Sequence, residues 1–271
     1  MSAFMDCVGR AYSVEGVTVF ARPHVLVLLF ALLATTGVGA SPQEDFLAGL
    51  TNDCPDCDLQ DANLKRRDLS GANLRGANLT GAVLHRAKLR GADLRQTILR
   101  KANLNLADLR RAKLQGADLS EALLFEADLS AADLTGTILF RARLLRARLT
   151  RATMKDAVLD EAVLKEARLA RASLVGASIR RADLSNANLV KANLALSNLE
   201  LSGLVASNLS GSNLTGARLW RTDLFGANLT GADLTDADFT GARLTGARMK
   251  DAVIAGTIFL RTFMPDGSLS D

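Results

Sequence analysis

Apolar residues recur at every fifth position along most of the chain. From Leu59 to Phe259 this spacing is kept without an insertion, which gives 41 consecutive repeats. Most of the central residues are Leu, and the exceptions are also apolar: Met154, Ile179, Phe239, Met249, Ile254 and Phe259. Neither a helix with about 3.6 residues per turn nor a strand with a period of about 2 keeps positions five apart on one face over this length. The period therefore predicts a coil that closes on a multiple of five residues.

Small residues occupy a second fixed position, two residues before each central one. Ala stands at 31 of the 41 positions and nearly all the others are Ser or Thr, whereas Cys57 and Arg67 break the pattern. One large and one small residue at constant spacing indicate a narrow interior, in which stacked Leu side chains leave room only for Ala, Ser or Thr. Glycine is frequent two positions after the central residue, as at Gly71, where it suits a corner with positive φ.

The repeat units resemble the pentapeptide-repeat family. Ala72-Asn73-Leu74-Arg75-Gly76 and Ala232-Asp233-Leu234-Thr235-Asp236 are typical units. The resemblance implies an all-β fold, a right-handed quadrilateral β-helix with four repeats per coil, in which the central Leu and the small residue point inward. It covers residues 57–262 and corresponds to about ten coils, and neighbouring coils are expected to pair as parallel strands about 4.8 Å apart.

Residues 41–56 predict a cap on the first coil, because a solenoid is stable only when its ends are covered. Ser41-Pro42-Gln43-Glu44 has the pattern of a capping box with proline at the first helical position, so we expect a short N-terminal capping helix. Its Phe46, Leu47 and Leu50 are predicted to lie over the first coil.

Residues 263–271 predict a C-terminal cap or tail. The segment Met264-Pro265-Asp266-Gly267 resembles the terminal segment of many members of the family. Pro265 lacks the backbone donor that would invite another strand onto an open edge. We therefore expect both ends of the β-helix to be covered.

Residues 1–40 have the features of a secretory signal peptide. Residues 25–40 form one apolar run that ends in Val38-Gly39-Ala40, with small residues at the two positions that a signal peptidase recognises. The run holds 16 residues, fewer than the roughly 20 that a bilayer-spanning helix needs, so an uncleaved anchor is less favoured. We expect an exported protein, periplasmic or extracellular, that begins near Ser41 and does not span a membrane, although it can contact one.

Residue types suited to catalysis are sparse. His85 is the one histidine after residue 40, and its exposed position offers no paired acid, base or metal co-ligand, so we interpret it as solvated. Many carboxylates directly precede a central Leu and are expected to bond the nearby backbone: Asp93, Asp108, Asp118, Asp128, Asp133, Asp183 and Asp233. The sequence thus predicts no enzyme, no cofactor and no metal site.

Cys54 and Cys57 form the one motif with potential reactivity, because Cys-x-x-Cys serves disulfides, redox centres and half of a zinc site. Zinc needs two further ligands, and none is nearby in the sequence. A redox centre usually opens a helix in a βαβ unit, a context that is absent here. For an exported protein we favour a structural disulfide in the cap, with two reduced thiols as the alternative.

Outward-facing columns can be derived from the sequence, because residues twenty apart stand above one another when four repeats make a coil. Two columns alternate in charge: Lys101, Glu121, Arg141, Glu161 and Arg181 in one, and Glu126, Arg146 and Glu166 in the other. Surface pairs contribute only about 0–1 kcal/mol each, so these columns are expected to secure register and solubility more than stability.

A third face carries like charges. Arg151, Arg171 and Lys191 stack without a carboxylate between them, and Arg148 and Arg168 precede the central residues of the same face. Like charges in contact are destabilising, so this face is the best candidate for a functional site, which would bind an anionic partner. The net charge of +4 permits such a partner without requiring one. The alternative is that neighbouring carboxylates screen the face, namely Asp160, Glu161 and Glu166.

Apolar residues also recur in outward columns. Val205 lies below Phe225 in one column, as Phe125 lies below Leu145, and Trp220 belongs to the adjoining column. Because exposed aromatic residues often mark a partner site, we predict a homodimer interface near Val205, Trp220 and Phe225. The alternative is that these side chains pack against each other to cover the corners.

The favoured function is a non-enzymatic binding or structural scaffold of the cell envelope, with a protein or an anionic surface as partner. The second class is a DNA-mimicking regulator of a topoisomerase, since family members that protect DNA gyrase resemble a DNA duplex in size and negative charge. The basic net charge and the signal segment disfavour that role, and a nucleic-acid partner is disfavoured as well. A structural module without a dedicated partner stays open.

Overall fold

The computed structural model describes residues 12–14, 17–19 and 41–271, so the apolar run of the predicted signal segment lies outside the described residues. The chain divides into two units, residues 1–41 and 42–271. In the first unit, β1 (Tyr12–Val14) pairs antiparallel with β2 (Val17–Val19), with Tyr12 opposite Val19. The described residues include no helix with the length and apolar character that crossing a bilayer requires.

Parallel bridges between residues twenty apart connect successive coils of the second unit. They run from Asp58 with Asn78 to Arg243 with Phe263. Twenty residues are four repeats, so each coil has four sides and the unit is a quadrilateral β-helix. The pairing between coils is parallel, as the sequence predicts, and it is one residue wide on each side. A side of five residues that includes a corner leaves only one residue in position to bridge.

The interior is filled as the repeat pattern predicts. The central Leu residues from Leu59 to Leu244 are 0–2% exposed, and near the C-terminal end the ring of Phe239 stacks on Phe259 with centroids 5.5 Å apart. Inward Thr hydroxyls donate to main-chain carbonyls, for example Thr222 Oγ1 to Leu199 O at 2.8 Å. These bonds satisfy polar groups that would otherwise be costly to bury.

Every position two residues after a central residue, from 61 to 261, has positive φ. Non-glycine residues hold many of these corners, including Leu106, Leu196 and Leu201 with φ of 59–60°. The left-handed region disfavours residues with a Cβ, but each corner N–H from residue 61 to residue 246 donates to a carbonyl of the next coil, as Leu106 N does to Phe125 O at 2.9 Å. Corners therefore accept varied side chains, all of them directed outward.

Helix α1 (Pro42–Ala48) begins at Pro42, as the capping pattern predicts. Phe46 is fully buried, and the guanidinium of Arg67 lies 4.1 Å from the centre of its ring and donates to Thr51 O at 3.0 Å. Arg67 thus breaks the small-residue rule because it reaches the cap. The prediction for Leu47 and Leu50 is wrong, since they are 50% and 78% exposed. Only Phe46 of the helix is buried, and Leu50 lies beyond the end of the helix at Ala48.

The C-terminal end is only partly covered, which corrects the prediction for residues 263–271. The tail folds back, with Phe263 antiparallel to Leu269 and Met264 N donating to Ser268 O at 2.7 Å. This short tail covers one side, so Ile254, a central residue, is 53% exposed. Within residues 41–271, several N–H groups of the last coil have no backbone acceptor: those of Met249, Asp251, Ile254, Gly256, Phe259 and Arg261.

Each of the seven carboxylates named in the sequence analysis accepts the backbone N–H two residues later. Asp233 Oδ1 accepts the hydroxyl of Thr235 at 2.6 Å and its N–H at 3.0 Å, which lowers the pKa of Asp233 from its usual 3.8. Bonds from Ser70 and Lys88 likewise lower the pKa of Asp68, to about 2. A carboxyl group whose pKa is lowered on folding stabilises the protein above its unfolded-state pKa and loses that effect as the pH falls.

We expect the free energy of unfolding to fall as the pH is lowered from about 4 towards 2, because the pKa of Asp68 is about 2 and that of Asp233 is lowered as well. Asp233→Asn should keep both hydrogen bonds but lose the titratable group. In another repeat, Asn228 Oδ1 accepts the N–H and the hydroxyl of Thr230 in the same way. The stability difference between Asp233→Asn and wild type should therefore shrink across this range. Urea unfolding followed by circular dichroism at each pH measures it, and a difference that does not change with pH contradicts the assignment.

Candidate functional site

The like-charged residues of the third face occupy left-handed corners. Arg151, Arg171 and Lys191 have φ of 57–59° and exposed side chains. Arg151 N donates to Ala170 O at 3.1 Å and Arg171 N donates to Val190 O at 2.9 Å, so the three residues stand in successive coils. In the described part of the chain, none of the three forms a salt bridge. We call these three residues the basic column.

The three carboxylates that the screening alternative requires are engaged elsewhere. Glu161 accepts Arg141 Nε at 2.7 Å, and Glu166 accepts Arg146 Nε at 2.7 Å, within the two columns of alternating charge. Asp160 accepts the Ser178 hydroxyl at 2.6 Å and Arg180 N at 3.0 Å. Their negative charge is therefore directed to other corners of the β-helix, and the basic column has no neutralising partner among the described residues.

The structure separates Arg148 and Arg168 from the basic column. They line a different groove, of about 390 Å³, together with Leu106, Glu126, Arg146 and Glu166. Arg148 also lies 3.9 Å from Asp128. The five basic residues predicted as one stripe thus belong to two separate grooves. Arg148 and Arg168 share theirs with the carboxylates of Glu126 and Glu166.

Arg151 and Arg171 line a groove of about 470 Å³ that brings in three arginines that the sequence analysis missed: Arg90, Arg110 and Arg111. We call it the arginine groove; its floor is formed by Ser130, Ala131, Thr150 and Ala170. Arg111 belongs to the same corner column as Arg151, but Ala131 lies between them and interrupts the charge pattern. Extending the twenty-residue arithmetic past Ala131 would have found it.

The surrounding coil is unusually basic. Residues 134–155 contain no Asp or Glu but six basic residues: Arg141, Arg143, Arg146, Arg148, Arg151 and Lys155. Some of these reach carboxylates in the coils above and below, as Arg141 does with Glu161. Arg151 makes no such pair within residues 41–271, so its charge adds to the positive charge of the arginine groove.

The three residues predicted as a dimer interface lie in two columns. Phe225 stands one coil above Val205, since its carbonyl accepts Ala206 N at 2.9 Å, and Trp220 belongs to the column before it. Arg243 lies 4.4 Å from the ring centre of Phe225, and Arg221 lies 5.2 Å from that of Trp220. Each aromatic face is thus partly occupied within the chain, and the homodimer interface stays a prediction.

Cys54 and Cys57 are joined in a disulfide, with their Cα atoms 5.4 Å apart. Cys54 is fully buried, and its N–H donates to Asn73 O at 2.8 Å, which attaches the cap to the coil above. Like Arg67, Cys57 breaks the small-residue rule at a position that contacts the cap. The linkage constrains the chain where α1 is followed by the first repeat.

His85 is half-buried, not fully exposed as the sequence suggested. Desolvation, with the charges of Arg86, Lys65 and Arg66, lowers its pKa. The described residues contain no group of three or more His, Cys, Asp or Glu side chains arranged to hold a metal ion.

The family described as pentapeptide repeats matches in eight copies, over residues 57–200 and 204–271. Members of this family fold as right-handed quadrilateral β-helices. The comparison with curated proteins finds no match.

Several solved structures are similar. HetL, a pentapeptide repeat protein involved in heterocyst differentiation regulation from the cyanobacterium Nostoc sp. strain PCC 7120, is 33% identical over 83% of this chain and 96% of its own, with a TM-score of 0.39. Rfr23 from the cyanobacterium Cyanothece 51142 is 38% identical over 31% of this chain and 59% of its own, with a TM-score of 0.23. A trypsin-treated variant of QnrB1, a plasmid-mediated fluoroquinolone resistance protein, is 21% identical over 55% of this chain and 87% of its own, with a TM-score of 0.41.

We expect reduction of the purified protein to release two additional thiols per chain, because Cys54 and Cys57 are bonded to each other. Thiol titration in denaturant, before and after reduction, measures the difference. The Cys54→Ser, Cys57→Ser double variant is the control and should show no increase. An unreduced wild-type protein that already exposes both thiols would contradict the disulfide.

Proposed function

Because the chain belongs to the pentapeptide-repeat family, we propose that it is a non-enzymatic binding scaffold whose basic column engages an anionic partner. The observation that carries the proposal is the absence, among the described residues, of a carboxylate partner for Arg151, Arg171 and Lys191. The columns of alternating charge show how the fold neutralises such residues elsewhere, as in Arg141 with Glu161 at 2.7 Å.

The energetic cost of the basic column supports a functional role. Stacked like charges repel each other, and a non-glycine residue at a left-handed corner adds strain. The same column has glycine at Gly211 and Gly231, so the fold does not require long side chains at this corner. Opposite charge on a partner would relieve the repulsion that the free protein carries.

We place this scaffold in the cell envelope, in the periplasm or outside the cell. The signal-like segment, residues 1–40, supports this location, and a disulfide at Cys54 and Cys57 suits an oxidising compartment. We also propose that the β-helix has about ten coils, which the twenty-residue offset of the bridges supports.

A DNA-mimicking regulator of a topoisomerase is not favoured by any observation on the surface. Such a mimic needs negative charge along its length, whereas this chain has a net charge of +4 and a coil without carboxylates at residues 134–155.

Replacing the basic column should weaken binding to polyanions. We expect the Arg151→Ser, Arg171→Ser, Lys191→Ser variant to lose about tenfold or more in affinity for heparin at low salt, with the wild-type affinity falling as salt rises. Heparin chromatography and titration at two salt concentrations measure this.

The matched control is Lys101→Ser, Arg141→Ser, Arg181→Ser. It removes the same three charges from the same corner position, but from a column in which Lys101 and Arg141 face Glu121 and Glu161. It should retain most of the affinity. Equal losses in both variants would mean that only net charge matters, and an unchanged affinity in the first variant would refute the proposed function.

Export can be tested by cell fractionation. We expect a C-terminally tagged full-length chain to accumulate in the periplasm or the medium of a bacterial host with an outer membrane, and a chain without residues 1–40 to stay in the cytoplasm. A cytoplasmic full-length chain would refute the envelope location and weaken the argument for a disulfide.

A further inference from the structure

The arginine groove contains a gap in its corner column. Reading upward, the column is Arg111, Ala131, Arg151 and Arg171. Coils rise by about 4.8 Å, so the backbones of Arg111 and Arg151 are roughly 10 Å apart, with only the methyl group of Ala131 between them. Long cationic side chains thus border a recess that is lined at its base by small side chains.

The charge within the groove is largely uncompensated. Arg110 is neutralised, because its guanidinium bonds Asp108 at 2.5 and 2.7 Å and lowers the pKa of that carboxyl. Among the described residues, the other four arginines of the lining form no salt bridge: Arg90, Arg111, Arg151 and Arg171. Of these, Arg90 also lowers the pKa of Asp108 through its charge. Asp128, which is outside the lining, accepts the hydroxyl of Ser130 at 2.6 Å and lies 3.9 Å from Arg148.

The floor of the groove also presents backbone donors. In most coils of this face, the N–H group after the central residue donates to an outward Asp or Asn side chain, as Ser130 N does to Asp128 and Val190 N to Asn188. Arg148 and Arg168 stand where those acceptors would be for Thr150 and Ala170. Within residues 41–271, the N–H groups of Thr150 and Ala170 therefore have no protein acceptor, and they face outward.

We propose that the arginine groove binds an anion with two or more linked phosphate groups, a proposal that rests on the proposed function and names its ligand class. Guanidinium groups and backbone N–H groups are the donors that phosphate oxygens favour, and arginine binds them bidentately. Four unpaired arginines exceed what a single carboxylate neutralises, and about 470 Å³ is within the size range of small-molecule sites. A soluble phosphate chain and a phosphorylated lipid head group share this chemistry.

Filling the gap tests the groove without changing its charge. We expect Ala131→Leu to weaken binding of tripolyphosphate by about tenfold or more, measured by calorimetry, because the larger side chain occupies the recess. Leu is compatible with this backbone, since Leu106, Leu196 and Leu201 occupy equivalent corners. The matched control is Ala206→Leu, at an equivalent corner with φ of 54° outside the groove, and it should bind as wild type does.

Removing one charge gives a second, independent test. Arg111→Gln should weaken tripolyphosphate binding by about tenfold, since a bidentate charge-assisted contact is lost. Arg181→Gln removes the same charge from a corner outside the groove and should have little effect.

Two arms distinguish the source of the phosphate. Wild type and Ala131→Leu are compared for tripolyphosphate and for vesicles of phosphatidylcholine with cardiolipin, whose head group carries two phosphates; pure phosphatidylcholine vesicles are the control. A loss in either arm with Ala131→Leu supports the groove and identifies its source. If Ala131→Leu changes neither arm, or if wild type binds neither ligand, the groove proposal is overturned.

The heparin experiment separates this proposal from the proposed function. Ala131→Leu keeps every charge of the basic column, so heparin binding should persist in it. Heparin binding that depends on the basic column, without tripolyphosphate or cardiolipin binding, refutes the groove alone. Tripolyphosphate binding that Ala131→Leu weakens, with heparin binding indifferent to the basic column, refutes the proposed function alone.

Discussion

Backbone hydrogen bonding between consecutive coils is the constraint on which this structure depends. The repeat centred on Leu129 shows how its five N–H groups are used. Leu129 and Ala131 donate to the next coil, Asp128 donates to the previous coil, and Ala127 donates to the preceding central residue. The fifth, Ser130 N, is left for the side chain of Asp128. Buried backbone groups must be paired. The N–H that follows each central residue therefore either bonds an Asp or Asn side chain or is exposed to solvent.

The sequence predicts the interior well because the interior is set by spacing alone. A Leu every five residues with Ala, Ser or Thr before it defines what points inward, whereas four sides follow from the family resemblance and not from the period. The repeat pattern does not explain its two exceptions, Cys57 and Arg67. Their role depends on contact with the cap, residues 41–56, which has no periodicity. The exposure of Leu47, Leu50 and the last coil likewise depends on how far short terminal segments reach, which composition does not encode.

The surface was harder to predict because side chains at one corner do not all point into one groove. The twenty-residue spacing predicts that Arg151, Arg171 and Lys191 share a column, but it does not separate from them Arg148 and Arg168, which the structure directs to the groove with Glu126 and Glu166. Ala131 interrupts the basic pattern, so Arg111 is absent from the predicted stripe. The absence of screening at this corner was not visible in the sequence either, since the hydrogen bonds of Asp160, Glu161 and Glu166 decide it.

The twenty-residue offset has a consequence for how such a chain can change in length. Any repeat fits any side of the interior, so gaining or losing five residues leaves the packing of Leu and Ala intact. The same event turns every later corner by a quarter of a revolution relative to the earlier ones. Between Arg111 and Arg151 it would place the two residues at different corners and so break the column. Only duplications or deletions in multiples of twenty preserve the surface pattern. The core therefore tolerates four times as many changes in chain length as the surface pattern does. Insertions and deletions that preserve the groove are a small subset of those that preserve the fold.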